Sequence, residues 1–189
     1  MIAASLRRTC LWLLLGAPCT AFAQCPTGQM QICLGSCICI PDPIRMREDG
    51  LNMASARLEA WLLQSRQATL NAGTESMPLM IRAQLSSFYD SELLDGVRFR
   101  AGTTEEMDAA SVLLQNPDVQ AVTLVDVVVF RSREAAEGDA ALWAHELWHV
   151  QQYREWGTAE FARRYTRDFN SVEEPAYAMQ ARVRRALQE

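Results

Sequence analysis

Apolar residues recur at helical spacing along most of this chain and at strand spacing in only two places. Leu51, Ala54, Leu58, Trp61 and Leu62 fall at helical spacing, predicting a helix of about five turns that ends near Asn71-Ala72-Gly73. After Pro78, the positions Leu79, Ile81, Leu85 and Phe88 predict a shorter second helix. Gly96-Val97-Arg98-Phe99-Arg100 alternates and reads as a strand, and Glu105 to Leu114 reads as a short helix stopped at Asn116-Pro117. The run from Ala121 to Phe130 is β-branched, apolar on both faces and interrupted only by Asp126. It reads as one buried strand or a tight pair. From Asp139 to Trp156 there is neither Gly nor Pro, and Gly157 supplies a helix stop. Thr158 and Glu160 open a further helix with Phe161, Tyr165 and Phe169 inward and Arg163, Arg164 and Arg167 on a solvated face. A last helix is expected from Ser171 to near the C-terminus. The fold class is α+β, mostly helical, with a small β-sheet ahead of the 139–156 helix.

That helix carries His145-Glu146-Leu147-Trp148-His149, an H-E-x-x-H motif. Residues four apart on a helix leave the same face, so both imidazoles can close on one metal ion. Glu146, between them in sequence, is placed to act on a water as general base. His145 and His149 are also the only two histidines among 189 residues. Leu142, His145, Glu146, His149 and Tyr153 share one side, while Leu147, Trp148 and Val150 continue the apolar surface. A helix apolar nearly all round is a buried one, and buried imidazoles need a partner.

The N-terminus changes the picture of where this chemistry would take place. Arg7 and Arg8 precede Leu11-Trp12-Leu13-Leu14-Leu15 and then Ala21-Phe22-Ala23, the layout of a secretory signal over residues 1–23. The apolar run is too short to span a bilayer, so no membrane anchor is expected after cleavage. The chain has a net charge of −5 and no lysine, and the segment 1–23 holds two of its arginines and none of its acids. An acidic chain without a basic stripe excludes nucleic acid as a partner. Cys25, Cys33, Cys37 and Cys39 crowd into residues 24–47, which read as a small stapled leader closed by Pro41-Asp42-Pro43. In an oxidising compartment such a set predicts two disulfides, with Cys37–Cys39 the least favoured pairing. A thiolate zinc knuckle is the weaker alternative after export. The expected location is the bacterial periplasm or the exterior.

Two histidines leave a catalytic zinc one protein ligand short. With no third histidine, and with the cysteines bridged, the third ligand is expected to be a carboxylate. Glu173 and Glu174 are the candidates, in Ser171-Val172-Glu173-Glu174-Pro175-Ala176-Tyr177. Ser171 and Glu174 form a capping-box pattern, which gives Glu174 a structural role and leaves Glu173 as the ligand. The arrangement from Glu173 to Tyr177 also resembles the helix on which glutamate-zincins carry their third ligand. Those enzymes have an aspartate four residues after that glutamate, where this chain has Tyr177. The residue that orients the ligand histidines is therefore expected among Asp126, Asp168, Asn170 or a backbone carbonyl.

From Leu142 to Tyr177 the chain resembles the bacterial zincin-like metallopeptidase domain of unassigned function that also occurs in core proteins of extracellular contractile injection systems. The matching pieces are His145 to Tyr153, Gly157, Phe161-Ala162-Arg163-Arg164-Tyr165, and Glu173-Glu174-Pro175-Ala176-Tyr177, with Val127 to Phe130 as the strand ahead of the helix. The resemblance covers the C-terminal third closely and residues 78–135 loosely and implies a zinc metallopeptidase fold, and the zincin-like domain is expected over 48–189. Zn2+ would be held by His145, His149 and Glu173, with Glu146 as catalytic base, a peptide or protein as substrate, and Tyr153, Tyr165 or Tyr177 as further donors. Two other classes fit the same residues. One is a catalytically silent, metal-stabilised binding or assembly module. The other is a secreted effector or inhibitor that recognises its target through the stapled leader.

Overall fold

The computed structural model describes residues 25–34, 36–102 and 119–188. The signal segment and the helix expected at Glu105–Leu114 lie outside these residues. The chain divides into two compact units, one ending at Pro43 and one running from Ile44 to Glu189.

In the first unit, strands β1 (Gln29–Leu34) and β2 (Ser36–Pro41) pair antiparallel in a hairpin, with Gln29 opposite Pro41 and Cys33 opposite Cys37. A disulfide joins Cys25 to Cys39 across a Cα separation of 5.6 Å, one bridge of the kind expected for the leader. The side chains of Cys33 and Cys37 lie outside the described set.

The second unit opens with α1 (Pro43–Asn71), which starts earlier than the periodicity predicts. Proline fits the first helical position, because its missing N–H has no partner to lose there. One stripe of α1 is buried through Ser55, Leu62, Ser65 and Thr69, and most of the rest is exposed. Next come β3 (Glu75–Ser76), α2 (Leu79–Leu85), α3 (Ser91–Gly96), β4 (Arg98–Ala101), β5 (Ala121–Leu124) and β6 (Val127–Phe130). They are followed by α4 (Arg133–Gly138), α5 (Ala140–Trp156), α6 (Thr158–Arg167) and α7 (Phe169–Ala186). The sequence pattern does not reveal β3, α3 or α4, each of six residues or fewer.

Among the described residues the strands of this unit form one sheet in the order β3-β4-β6-β5, with β4 and β6 parallel and the other two pairs antiparallel. The apolar run 121–130 is thus a tight pair. Asp126, the one polar break, sits in its two-residue turn behind Val125, whose φ is +65°. A β-branched residue in that region is strained. Arg66 of α1 grips Asp126 through two hydrogen bonds, at 2.5 and 2.8 Å, and holds the turn down. Every residue of β6 is buried, as a central strand requires, whereas β5 forms an edge.

Helix α5 lies across this sheet. Trp143 packs edge-to-face on Phe99 and against Phe130, at centroid distances of 5.6 and 4.6 Å, and its indole N–H donates to the Ala136 carbonyl at 2.7 Å. Trp143, Ala144, Leu147 and Val150 are wholly excluded from water. Tyr89 donates to the Ala144 carbonyl at 2.5 Å from the same side. These contacts pin one face of α5, so its opposite face holds a fixed attitude towards α7 and β5. Gly157 ends the helix at φ +77°, a conformation that side-chain-bearing residues rarely adopt, with its N–H on the Tyr153 carbonyl.

Candidate metal centre and cleft

The fold brings the motif histidines and Glu173 together. One donor atom each from His145, His149 and Glu173 falls within a 4.8 Å cluster, and all three residues are buried. The two Nε2 atoms stand 3.1 Å apart, with Glu173 Oε2 3.2 Å from His145 and Glu173 Oε1 3.5 Å from His149. Ligands about 2.0–2.2 Å from a shared tetrahedral zinc would stand about 3.3–3.6 Å from one another, so the donor set fits such an ion.

Hydrogen bonding strengthens this fit. Gln152, one turn beyond His149, donates its amide N–H to the Val172 carbonyl at 2.9 Å, which turns its oxygen towards His149 Nδ1 at 2.8 Å. His149 Nδ1 therefore carries a proton, and in the neutral ring Nε2 is a bare lone pair aimed at a second imidazole nitrogen and a carboxylate. Such a convergence is satisfied by a proton shared within the cluster or by a metal ion. The group that orients His149 is thus Gln152, and two of the acids expected from the sequence serve other ends. Asp126 pairs with Arg66, and Asp168 caps α7 by accepting from the Ser171 N–H. The ring of His145 is packed by Tyr177, 4.6 Å away centroid to centroid.

The capping box also needs correction. Helix α7 starts at Phe169 behind Asp168, so Ser171 is already inside its first turn and its hydroxyl turns back to the Asp168 carbonyl. Glu174 is exposed, and its capping role falls away. Glu173 faces inward because it shares the buried stripe of Val172, Ala176 and Val183.

Glu146 is buried beside the cluster. The Thr123 hydroxyl of β5 donates to its carboxylate at 2.6 Å and also contacts its carbonyl at 3.2 Å. Sequence reasoning missed Thr123, which lies on β5, the edge strand among the described residues. Above these groups lies a cleft of about 740 Å³, bounded by β5 and its lead-in, by Trp61 and Leu58 of α1, and by the aromatic rings of α6 and the start of α7.

Charge in the cluster is strongly coupled. Burial disfavours the imidazolium of His149, but Glu173 and Glu146 outweigh it and raise the pKa above the ordinary 6.5. Burial also disfavours the Glu173 carboxylate, yet the two imidazoles outweigh this and hold it down at about 2. In the metal-free protein the Glu173 contribution to stability is present above pH 4.5 and is lost as pH falls towards 2. The His149 contribution is complete below pH 6.5 and is lost as pH rises through its raised value. A metal competes with the His149 proton, so added zinc should raise the melting temperature more at pH 8 than at pH 5.5. Melting curves with and without zinc at the two pH values test this, and a larger shift at pH 5.5 would contradict it.

Comparison with known proteins adds a family match over part of the chain. Residues 76–157 match the eCIS core domain. The eCIS core match runs from β3 to the end of α5, so it includes the sheet, both histidines and Glu146, and stops before Glu173. The third member of the cluster therefore rests on geometry. No curated protein and no solved structure matches the chain.

Proposed function

We propose that this chain is an exported zinc-dependent metallopeptidase. The observation that carries the reading is the convergence of His145, His149 and Glu173 at ligand spacing, with the Glu146 carboxylate beside them at the floor of an open cleft. Zinc held by these three residues would supply Lewis acidity and an activated water. Glu146, steadied by Thr123, takes the proton of the attacking water and passes it to the departing amine. The edge that β5 forms among the described residues can align an extended peptide through backbone hydrogen bonds. Tyr177, exposed over the His145 ring, and Tyr165 on the cleft wall are the donors within reach of a polarised carbonyl oxygen. Tyr153 is buried in the stack beneath, with its hydroxyl 3.5 Å from the Thr123 carbonyl, and serves packing.

The Cys25–Cys39 bridge supports an oxidising location, periplasmic or outside the cell. Among the described residues, no helix is long and apolar enough to cross a membrane. The purified protein should carry one zinc per chain and cleave a broad peptide mixture in a reaction that chelators abolish and zinc restores. One zinc per chain with no cleavage of any peptide would return the silent binding or assembly module.

A further inference from the structure

The walls of the cleft say what kind of side chain would enter it. Four rings run in sequence along one wall: Tyr153 on Phe161 at 3.9 Å, Phe161 to Tyr165 at 5.6 Å, and Tyr165 to Phe169 at 5.0 Å. Each ring is braced by its neighbour, so the wall is formed before any ligand arrives, and little ordering cost attends binding. Trp61 and Leu58 of α1 stand among the other lining residues, both half-buried. Phe169 is 48% exposed at the rim, a large apolar surface left in water. Among the described lining residues there is no arginine, and the chain contains no lysine. The carboxylates at the floor are both engaged, Glu173 with the imidazoles and Glu146 with Thr123. The polar atoms of the lining are few, chiefly the Gln120 and Gln180 amides and the Tyr165 and Tyr177 hydroxyls, so a polar or acidic side chain seated between Trp61 and the ring wall would lose most of its hydration for little return. A large apolar one would be stripped of water on several sides.

From this arrangement we infer that the cleft selects extended peptides by a bulky aromatic or branched aliphatic side chain seated between Trp61 and the Phe161–Tyr165–Phe169 wall. The inference deepens the peptidase reading and rests on it for the nature of the ligand. Phe169 acts here as a specificity-determining residue, closing the apolar wall at its open end.

The test uses decapeptides capped at both ends and identical except for a central Phe, Leu, Ala or Asn. Binding is measured by calorimetry on the zinc-loaded Glu146→Gln protein, and cleavage of the same peptides is measured on the unaltered chain. The Phe and Leu peptides should bind about tenfold to a hundredfold more tightly than the Ala and Asn peptides, the gain expected from burying a side chain of that size. Phe169→Ser, a change at an exposed position, should reduce the advantage of Phe over Asn by about threefold to tenfold, as loss of one aromatic contact does. Equal affinities for the Phe and Asn peptides, no binding of any peptide, or a preference untouched by Phe169→Ser would overturn the inference. Its failure is distinguishable from failure of the peptidase reading. Cleavage with no Phe preference would sink this inference alone, and Phe-selective binding with no cleavage would sink the peptidase reading alone.

Discussion

Glu146→Gln is expected to abolish most hydrolysis while sparing both the fold and the metal. The amide keeps the size of the carboxylate and retains an oxygen that can accept the Thr123 hydroxyl bond, now formed at 2.6 Å. It adds no bulk against β5 and leaves His145, His149 and Glu173 untouched. What it removes is the ability to take a proton. General-base help is worth ~10²–10⁴-fold, so kcat/KM on a cleaved peptide should fall by about that factor with zinc still at one per chain. A variant that turns over at the unaltered rate would place the base elsewhere. One that loses its zinc would mean the carboxylate contributes to holding the ion.

The second large effect separates two adjacent glutamates. Glu173→Ala removes the one carboxylate that, among the described residues, meets both Nε2 atoms, leaving two protein ligands for zinc. Zinc should be lost on dialysis, and activity with it. Glu174 is exposed, and the start of α7 is already capped by Asp168, so Glu174→Ala should change stability by no more than about 0.5 kcal/mol and retain the metal. Zinc stoichiometry on the two variants, with a melting curve for each, reads both outcomes. Metal retained by Glu173→Ala and lost by Glu174→Ala would reverse the assignment.

The motif helix was legible in the sequence because its signals are local. An uninterrupted stretch, a glycine stop and two histidines one turn apart do not depend on any distant partner. Glu173 was also reachable, because two histidines leave a zinc site short of one carboxylate, although Glu174 beside it does not take the capping role that its spacing from Ser171 suggests. Asp168 and Ser171 are both good N-cap residues three positions apart, and sequence alone does not say which one the chain uses. The residues that steady the site were out of reach for another reason. Gln152 looks like any glutamine on a helix until α7 brings the Val172 carbonyl to it. Thr123 has no visible role until β5 docks beside α5. The short elements β3, α3 and α4 carry too few residues for a period to emerge. The strand pair was readable as two possibilities, and Asp126 resolved them once Arg66 was seen to tie it into a turn.

Both histidines meeting at one point gives the molecule an unusual spectroscopic simplicity. No other side-chain type ionises near neutrality without perturbation, and this chain spends its entire supply within 3.1 Å. An imidazole resonance in its proton spectrum can come only from that pair, so its assignment reduces to telling two histidines apart. Occupancy, protonation and ligand exchange at the centre can thus all be followed in the intact, unlabelled chain.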